Sequence, residues 1–357
     1  MKKLKISLVL PFPVTKPVGG ASVMYQYANL LQSRGHVVSV FHSLKRPYKK
    51  SKTPLWYKQF VFWMRKAARP KWFALHPQVK CFIVPAIIDK YMPDADIVMS
   101  TWWQMAYAVN ELSNAKGKKF NLVQDYETWN SDTTLLHQSY SLPVHHIVIA
   151  QYLQDLLMSY SGIQPVHIPN AIDTDRFSVQ VLPQNRNTQS VIMLYSREKR
   201  KGTPYAMEAF HTLKKDFPDM LVTLFGVYPP PADLPVWIKY FQKPGDLPSL
   251  YNQSAIFLSP SLGEGWALPP AEAMACGCAV VCTQIGGHRD YAISNETAIL
   301  VSPEKPAEIY DALKKLFTQP GLRIQMANRG REFMATHFSW EKSVSQLESC
   351  FYTALSE

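Results

Sequence analysis

The sequence predicts an α/β protein built from two Rossmann-like domains. Its 357 residues are enough for two domains of ordinary size, each with its own core. The chain opens with a strand, a glycine turn, a helix and a second strand, and Lys5-Ile6-Ser7-Leu8-Val9-Leu10 is the continuous apolar run of a strand buried on both faces of a parallel sheet. A second series of the same kind opens at Val191 and leads into a strand, loop and helix between residues 255 and 282.

In chain order, the first strand ends at Pro11-Phe12-Pro13, and Gly19-Gly20-Ala21-Ser22 leads into a helix over residues 23–33 that stops at Gly35. Residues 37–41 are the next strand. The glycine pair gives a tight turn but lacks the G-x-G-x-x-G spacing, so a nicotinamide cofactor is not indicated. Residues 95–100 and 120–125 read as short strands with polar ends, the second running into Gln124-Asp125-Tyr126-Glu127. His145-His146 precede the strand at 147–150 and mark an edge of the core. Prolines at 165 and 169 signal a change of domain, and the polar, proline-bearing residues 178–190 read as a linker. The second half continues with a strand at 191–195, a helix over 203–215 and strands at 221–226 and 255–259. Ser339 is placed to cap a last helix. The expected domains are 1–168 and 169–337, followed by a C-terminal helix over 338–357; neither half contains a repeat of 20–50 residues.

Composition is globular, 47% hydrophobic and 18% charged. No apolar run has the length of a membrane span, and Met1-Lys2-Lys3-Leu4-Lys5 leads into a strand rather than a signal peptide, so a cytoplasmic protein is expected. Five cysteines in a chain this long make no disulfide framework, and those at 276, 278 and 282 have no matching second pair for zinc, so neither metal nor cofactor is expected. The net charge of +11 has one source. Residues 45–80 hold eleven of the 38 basic residues (Lys45, Arg46, Lys49, Lys50, Lys52, Lys58, Arg65, Lys66, Arg69, Lys71 and Lys80) and no acid, leaving 27 basic to face 27 acidic residues elsewhere. Within that segment, residues 54–75 mix these cations with Trp56, Trp63, Trp72 and several phenylalanines. That is the make-up of an interfacial helix at an anionic membrane surface. Nucleic acid is the competing partner, but no recognition fold accompanies the segment.

The chemistry centres on Pro260-Ser261-Leu262-Gly263-Glu264-Gly265-Trp266-Ala267-Leu268-Pro269-Pro270-Ala271-Glu272-Ala273-Met274-Ala275-Cys276-Gly277. Glycines and two prolines place a loop ahead of a short helix, whose N-terminus favours an anion such as a diphosphate. Carboxylates there, Glu264 on the loop and Glu272 in the first turn, would repel phosphate and are read as acceptors for sugar hydroxyls. The site is that of a nucleotide-sugar. Upstream, Ser196-Arg197-Glu198-Lys199-Arg200-Lys201-Gly202 supplies a guanidinium fork and an ammonium for phosphate oxygens.

These residues carry a resemblance. The Glu-x7-Glu pair in its setting closely resembles the signature of retaining glycosyltransferase family 4, with Trp266 and Ala267 where phenylalanine and glycine are more usual. The resemblance implies the GT-B fold, two Rossmann-like domains facing a central cleft. It also implies that Gly19 and Gly20 lie against the donor, that Arg197 and Lys201 meet its phosphates, and that Gln242 lies near the base. Glu264, Gly265, Trp266, Ala267, Leu268 and Glu272 complete the donor site, with Glu264 on the sugar and Glu272 on the ribose. Many relatives have a histidine where this chain has Gln124-Asp125-Tyr126-Glu127, so Asp125 and Glu127 are assigned to the acceptor side, Asp125 as a catalytic candidate beside Glu264, Arg197 and Lys201. The link Asn170-Ala171-Ile172-Asp173 resembles the family's Asn-Gly-Val-Asp, and the last helix is implied to cross back to the first domain.

The expected activity is metal-free, retaining transfer of a hexose, glucose first, from a UDP-sugar to a glycan or lipid-linked glycan in polysaccharide synthesis. The alternatives are a sugar-nucleotide-binding scaffold without turnover, and a phosphorylase with pyridoxal phosphate, which needs a much longer chain.

Overall fold

The computed structural model describes residues 2–50, 53–128 and 132–357. Lys52 of the basic segment lies outside the described residues. The chain forms two compact units, Met1–Asn170 with Glu341–Glu357, and Ala171–Trp340.

The first unit lays down β1 (Lys5–Leu10), α1 (Gly19–Ser33), β2 (Val37–Ser43), α2 (Leu55–Met64), β3 (Lys80–Val84), β4 (Ile97–Thr101), α3 (Trp103–Asn110), β5 (Lys118–Val123), α4 (Thr133–Ser139), β6 (His145–Val148), α5 (Gln151–Ser161) and β7 (Val166–His167). The second lays down β8 (Ser190–Leu194), α6 (Thr203–Asp216), β9 (Leu221–Gly226), β10 (Ile238–Gln242), α7 (Leu247–Asn252), β11 (Ile256–Ser259), α8 (Leu268–Ala275), β12 (Ala279–Thr283), β13 (Ala298–Val301), α9 (Pro306–Thr318) and α10 (Pro320–His337). The last helix, α11 (Trp340–Ser356), belongs to the first unit from Glu341 onward.

The sheets run β3-β2-β1-β4-β5-β6-β7 and β10-β9-β8-β11-β12-β13, and all the strand pairs are parallel. Each order reverses direction between its first and fourth strands, β1|β4 and β8|β11. That is the doubly wound arrangement, in which loops leaving the two central strands diverge to opposite faces and open a crevice at their C-terminal ends. The central strands β4 and β11 are buried throughout, as their unbroken apolar runs require.

Three expectations need correction. Residues 178–190 are not a linker but part of the second unit. The Arg186 guanidinium, buried, donates to the carbonyls of Val181, Tyr251, Ser254 and Cys276, and Asn252 Oδ1 accepts from the N–H groups of Gln180 and Val181. A polar sequence looks like a linker until its donors find buried carbonyls 65 to 90 positions away.

The helix of the basic segment covers only Leu55–Met64 and has no buried residue. Beyond it the chain turns back to the fold. The indole of Trp72 donates to Val14 O at 2.9 Å and packs on Tyr25, and Arg69 donates to the carbonyls of Leu75, His76 and Val79. Trp72 and Arg69 therefore serve the fold and leave the exposed face to Trp56, Phe60 and Trp63. Finally, α1 begins at Gly19, so the glycine pair forms the first two helical residues.

Residues of α11 are fastened within the first unit by Arg34, which pairs with Glu341 and Glu348, and by His36 Nε2, 2.7 Å from Glu348 Oε1.

Candidate active site

In the second unit the loops after β8 and β11 are the pair that brackets the switch point. The first ends in a tight turn, Lys199–Lys201, closed by Gly202 with φ +66°. A Cβ at Gly202 would stand 1.9 Å from Pro260 O, and Leu262 N donates to Arg200 O at 2.6 Å, so the two loops are laced together by backbone. That contact brings Lys201 Nζ to 2.7 and 2.8 Å from the two oxygens of Glu264, and Ser261 Oγ donates to Glu264 Oε1 at 2.7 Å. Burial opposes ionisation of Glu264, but the Lys201 ammonium, its hydrogen bond and that of Ser261 outweigh burial and hold the carboxyl below its ordinary range.

A further segment completes this wall. A Cβ on Gly287 would lie 2.4 Å from Glu264 O, and Ala267 N donates to Gly287 O at 3.2 Å. The next residue, His288, is buried between Thr283 O, 2.8 Å from Nδ1, and Ser259 Oγ, 3.1 Å from Nε2. With Nδ1 protonated toward the carbonyl, Nε2 accepts from the serine; burial lowers the imidazole pKa and keeps it neutral. Sequence reasoning missed Gly287 and His288. Their signal was a Gly286-Gly287 pair three residues past the end of a buried apolar run.

Glu272 is the fifth residue of α8, one turn further in than expected, and Tyr251 Oη donates to its Oε2 at 3.1 Å. Burial raises its pKa to about 7, against the pull of Tyr251 and the Arg176 guanidinium. The helix N-terminus offers less than expected. Ala267 N–H is spent on Gly287, prolines 269 and 270 have none, and Leu268 is left as the donor of the first three helical residues. Trp266 is corrected as well: its ring is core, packed 5.0 Å from Tyr291 and 5.5 Å from Phe338, which leaves its backbone and that of the buried Gly265 to the site.

The predicted basic pair, Arg197 and Lys201, is drawn to different partners in this structure. Arg197 is exposed and its guanidinium lies 5.5 Å over the Tyr228 ring, while Arg200 is tied to Glu198 at 3.1 Å. Gln242, at the end of β10, is exposed with its amide 3.5 Å from Val227 O.

In the first unit, Gln124 Nε2 donates to Gly20 O at 3.0 Å and to Thr101 Oγ1 at 2.9 Å, clamping the start of α1 against the end of β4. Gln124 was read only as a departure from histidine; its role as a clamp became visible with the fold. Asp125 is half-buried and its Oδ1 accepts from Tyr126 N at 2.9 Å. Glu127 does not project from the loop. It is buried, Oε2 accepts from Trp103 N at 3.1 Å, and burial lifts its pKa to about 8 despite the Trp103 N–H and Arg46, with Asp125 adding to the rise.

Two doubly wound parallel sheets, the second with a lysine–glutamate pair at its switch point, define a protein of the GT-B fold. Residues 175–333 match the family described as Glycosyl transferases group 1. D-inositol 3-phosphate glycosyltransferase of Salinispora tropica is 32% identical over 112 residues, 31% of this chain and 23% of that protein, so the match spans about a quarter of the relative's length. Phosphatidyl-myo-inositol mannosyltransferase of Mycobacterium tuberculosis is 23% identical across 98% of this chain and 97% of that one. Among solved structures, sucrose-phosphate synthase from Thermosynechococcus elongatus superposes with a TM-score of 0.74 at 16% identity, covering 99% of this chain and 100% of that one. HepE from Anabaena in complex with UDP-glucose gives 0.73 at 15% identity, covering 98% and 100%.

Proposed function

We propose that the chain is a retaining, metal-independent hexosyltransferase that moves glucose from UDP-glucose to a glycan or lipid-linked glycan in polysaccharide synthesis. The observation that carries this reading is the largely enclosed Lys201–Glu264 pair at the switch point, with Glu272 eight residues on along the same loop and helix. Lys201, joined by Arg197 when a diphosphate draws it in, neutralises the leaving group, and Glu264 holds sugar hydroxyls; electrostatic stabilisation is the main catalytic contribution. No residue of the motif is placed as a nucleophile, which favours front-face departure with the leaving phosphate helping to deprotonate the acceptor. Release of the matching nucleoside diphosphate from each of a panel of UDP-, ADP- and GDP-sugars, with NMR of the product's anomeric proton, tests the reading. Inversion at that carbon, or loss of activity with a chelator, overturns it.

Glu272 is assigned to the ribose hydroxyls. Removing a charged hydrogen-bond partner costs about 1.5–3 kcal/mol, roughly a ten- to hundredfold rise in Kd. Glu272→Gln is expected to lose that much UDP affinity in a calorimetric titration. Because the carboxyl ionises at about 7, wild-type affinity rises as pH climbs through that value, whereas the glutamine variant stays flat. An unchanged Kd for the variant removes Glu272 from the donor site.

The acceptor reading extends to a membrane surface. Helix α2 exposes Trp56 (71%) and Trp63 (69%) beside Lys58, Arg65 and Lys66, and no described helix is long and apolar enough to cross a membrane. Each cation near an anionic surface contributes about 1 kcal/mol, so attachment is expected at low salt and lost at high salt. Lys58, Arg65 and Lys66 changed together to glutamate abolish sedimentation with anionic vesicles while UDP binding persists; Arg69 is left alone because it holds backbone. A wild-type chain that ignores such vesicles leaves α2 as a lid for a soluble glycan.

A further inference from the structure

The first unit has a switch point of its own, between β1 and β4, and the loops there build a cluster that the donor reading does not use. Phe12 follows β1, Trp102 follows β4, and their rings meet edge to face at 5.4 Å. Arg46, from the loop after β2, lies over both rings, 5.5 and 5.1 Å from their centroids. Beside them Tyr48, 60% exposed, stacks on Trp103 at 6.0 Å. Tyr48 and Trp102 both have left-handed backbone, φ +58° and +75°, a conformation that strains a non-glycine residue and is concentrated at ligand sites.

Two further features point to a ligand. The Arg46 guanidinium has stacked rings but, among the described residues, no ion pair; burial disfavours its charge and the Glu127 carboxyl, mostly protonated at pH 7, offsets this only in part, while Arg46, burial and Lys58 together pull the Lys49 pKa down. Next to it a cavity with room for about one water-sized group is lined by Trp102, Trp103, Asn121, Asp125, Glu127 and Tyr140. Tyr140 is 1% exposed and its Oη has no hydrogen-bond partner among the described residues. A buried hydroxyl left unsatisfied costs free energy that a ligand hydroxyl in the cavity recovers.

We infer that this edge is the acceptor site and that it takes a sugar bearing a phosphate: the anion on Arg46, the ring against Tyr48 and Trp102, one hydroxyl in the cavity at Tyr140 and Glu127. An anion needs uncompensated guanidinium donors, a sugar ring needs flat apolar faces, and a hydroxyl needs a small polar cavity; all three meet here. Glu127, neutral at pH 7, does not repel the phosphate. The inference rests on the transferase reading but is tested separately from it.

The full chain is titrated with glucose 1-phosphate, inorganic phosphate and methyl α-glucoside, each with and without excess UDP. Glucose 1-phosphate is expected to bind about tenfold or more tighter than either fragment, as the anion and ring contacts act together, and to remain bound with UDP present. Arg46→Met weakens glucose 1-phosphate and phosphate alike, Tyr48→Ala weakens glucose 1-phosphate but not phosphate, and both variants keep the wild-type Kd for UDP, which reports their folding. Vesicles of phosphatidylglycerol bind wild type and Arg46→Met equally, because the phosphate is the acceptor's own. Displacement by UDP, affinity no better than that of inorganic phosphate, indifference to Arg46→Met, or vesicle binding lost in Arg46→Met each overturns the inference. Failure of UDP itself to bind refutes the donor site instead.

Discussion

Lys201→Met is expected to destabilise the second unit by about 3–5 kcal/mol and to abolish transfer, since it strands a buried carboxylate without its counter-ion. The side chains of Lys201 and Glu264 are 17% and 11% exposed and 2.7 Å apart, so water screens the pair little. Changing both partners, Lys201→Met with Glu264→Leu, is expected to restore most of the stability and none of the activity, because it removes the stranded charge but also the group proposed to meet the diphosphate. The pH dependence has a definite sign. A carboxyl whose folded value lies below the ordinary 4.5 contributes stability that is complete above 4.5 and is lost as pH falls through the folded value. Urea unfolding at pH 7 and at pH 3 checks this: the gap between wild type and Glu264→Gln is smaller at the second than at the first. A Lys201→Met protein within 1 kcal/mol of wild type at pH 7 sinks the account.

Gly202→Ala is expected to cost about 2–5 kcal/mol, combining left-handed backbone with a methyl driven into Pro260. Gly162 is the internal control. Its φ of +68° nearly equals the +66° of Gly202, but a Cβ there meets nothing within 4 Å. Gly162→Ala therefore pays the backbone strain alone, about 1–2 kcal/mol, and the difference between the variants measures the loop contact. Relief of the clash must move Pro260 and with it Ser261, whose hydroxyl holds Glu264, so turnover at a temperature where the variant is still folded falls further than stability explains. Equal melting shifts for the two alanines show that the loops are not laced as described.

How much was legible follows from burial and from distance along the chain. The strands at 5–10, 120–123, 191–194 and 256–259 were readable because a parallel strand covered on both faces must be apolar throughout. The half-exposed edge strands β3 and β10, Lys-Cys-Phe-Ile-Val and Ile-Lys-Tyr-Phe-Gln, went unread because one side faces water and the pattern dissolves. Glu264 and Glu272 were visible as chemistry because both sit on one short loop and helix.

The sequence by itself thus determined two α/β halves, the loop and helix that carry the two carboxylates, and the confinement of the net charge to one segment. Tertiary structure alone decided that Lys201 faces Glu264 while Arg197 turns to Tyr228, that Gly287 backs the loop, that Arg186 and Trp72 serve the fold, and that Glu127 is buried and neutral. Those partners lie 23 to 90 residues apart, and Lys201 meets Glu264 because parallel pairing sets β8 beside β11, out of chain order. Local pattern encodes which face of an element is buried; which loops share an edge is a property of the closed sheet.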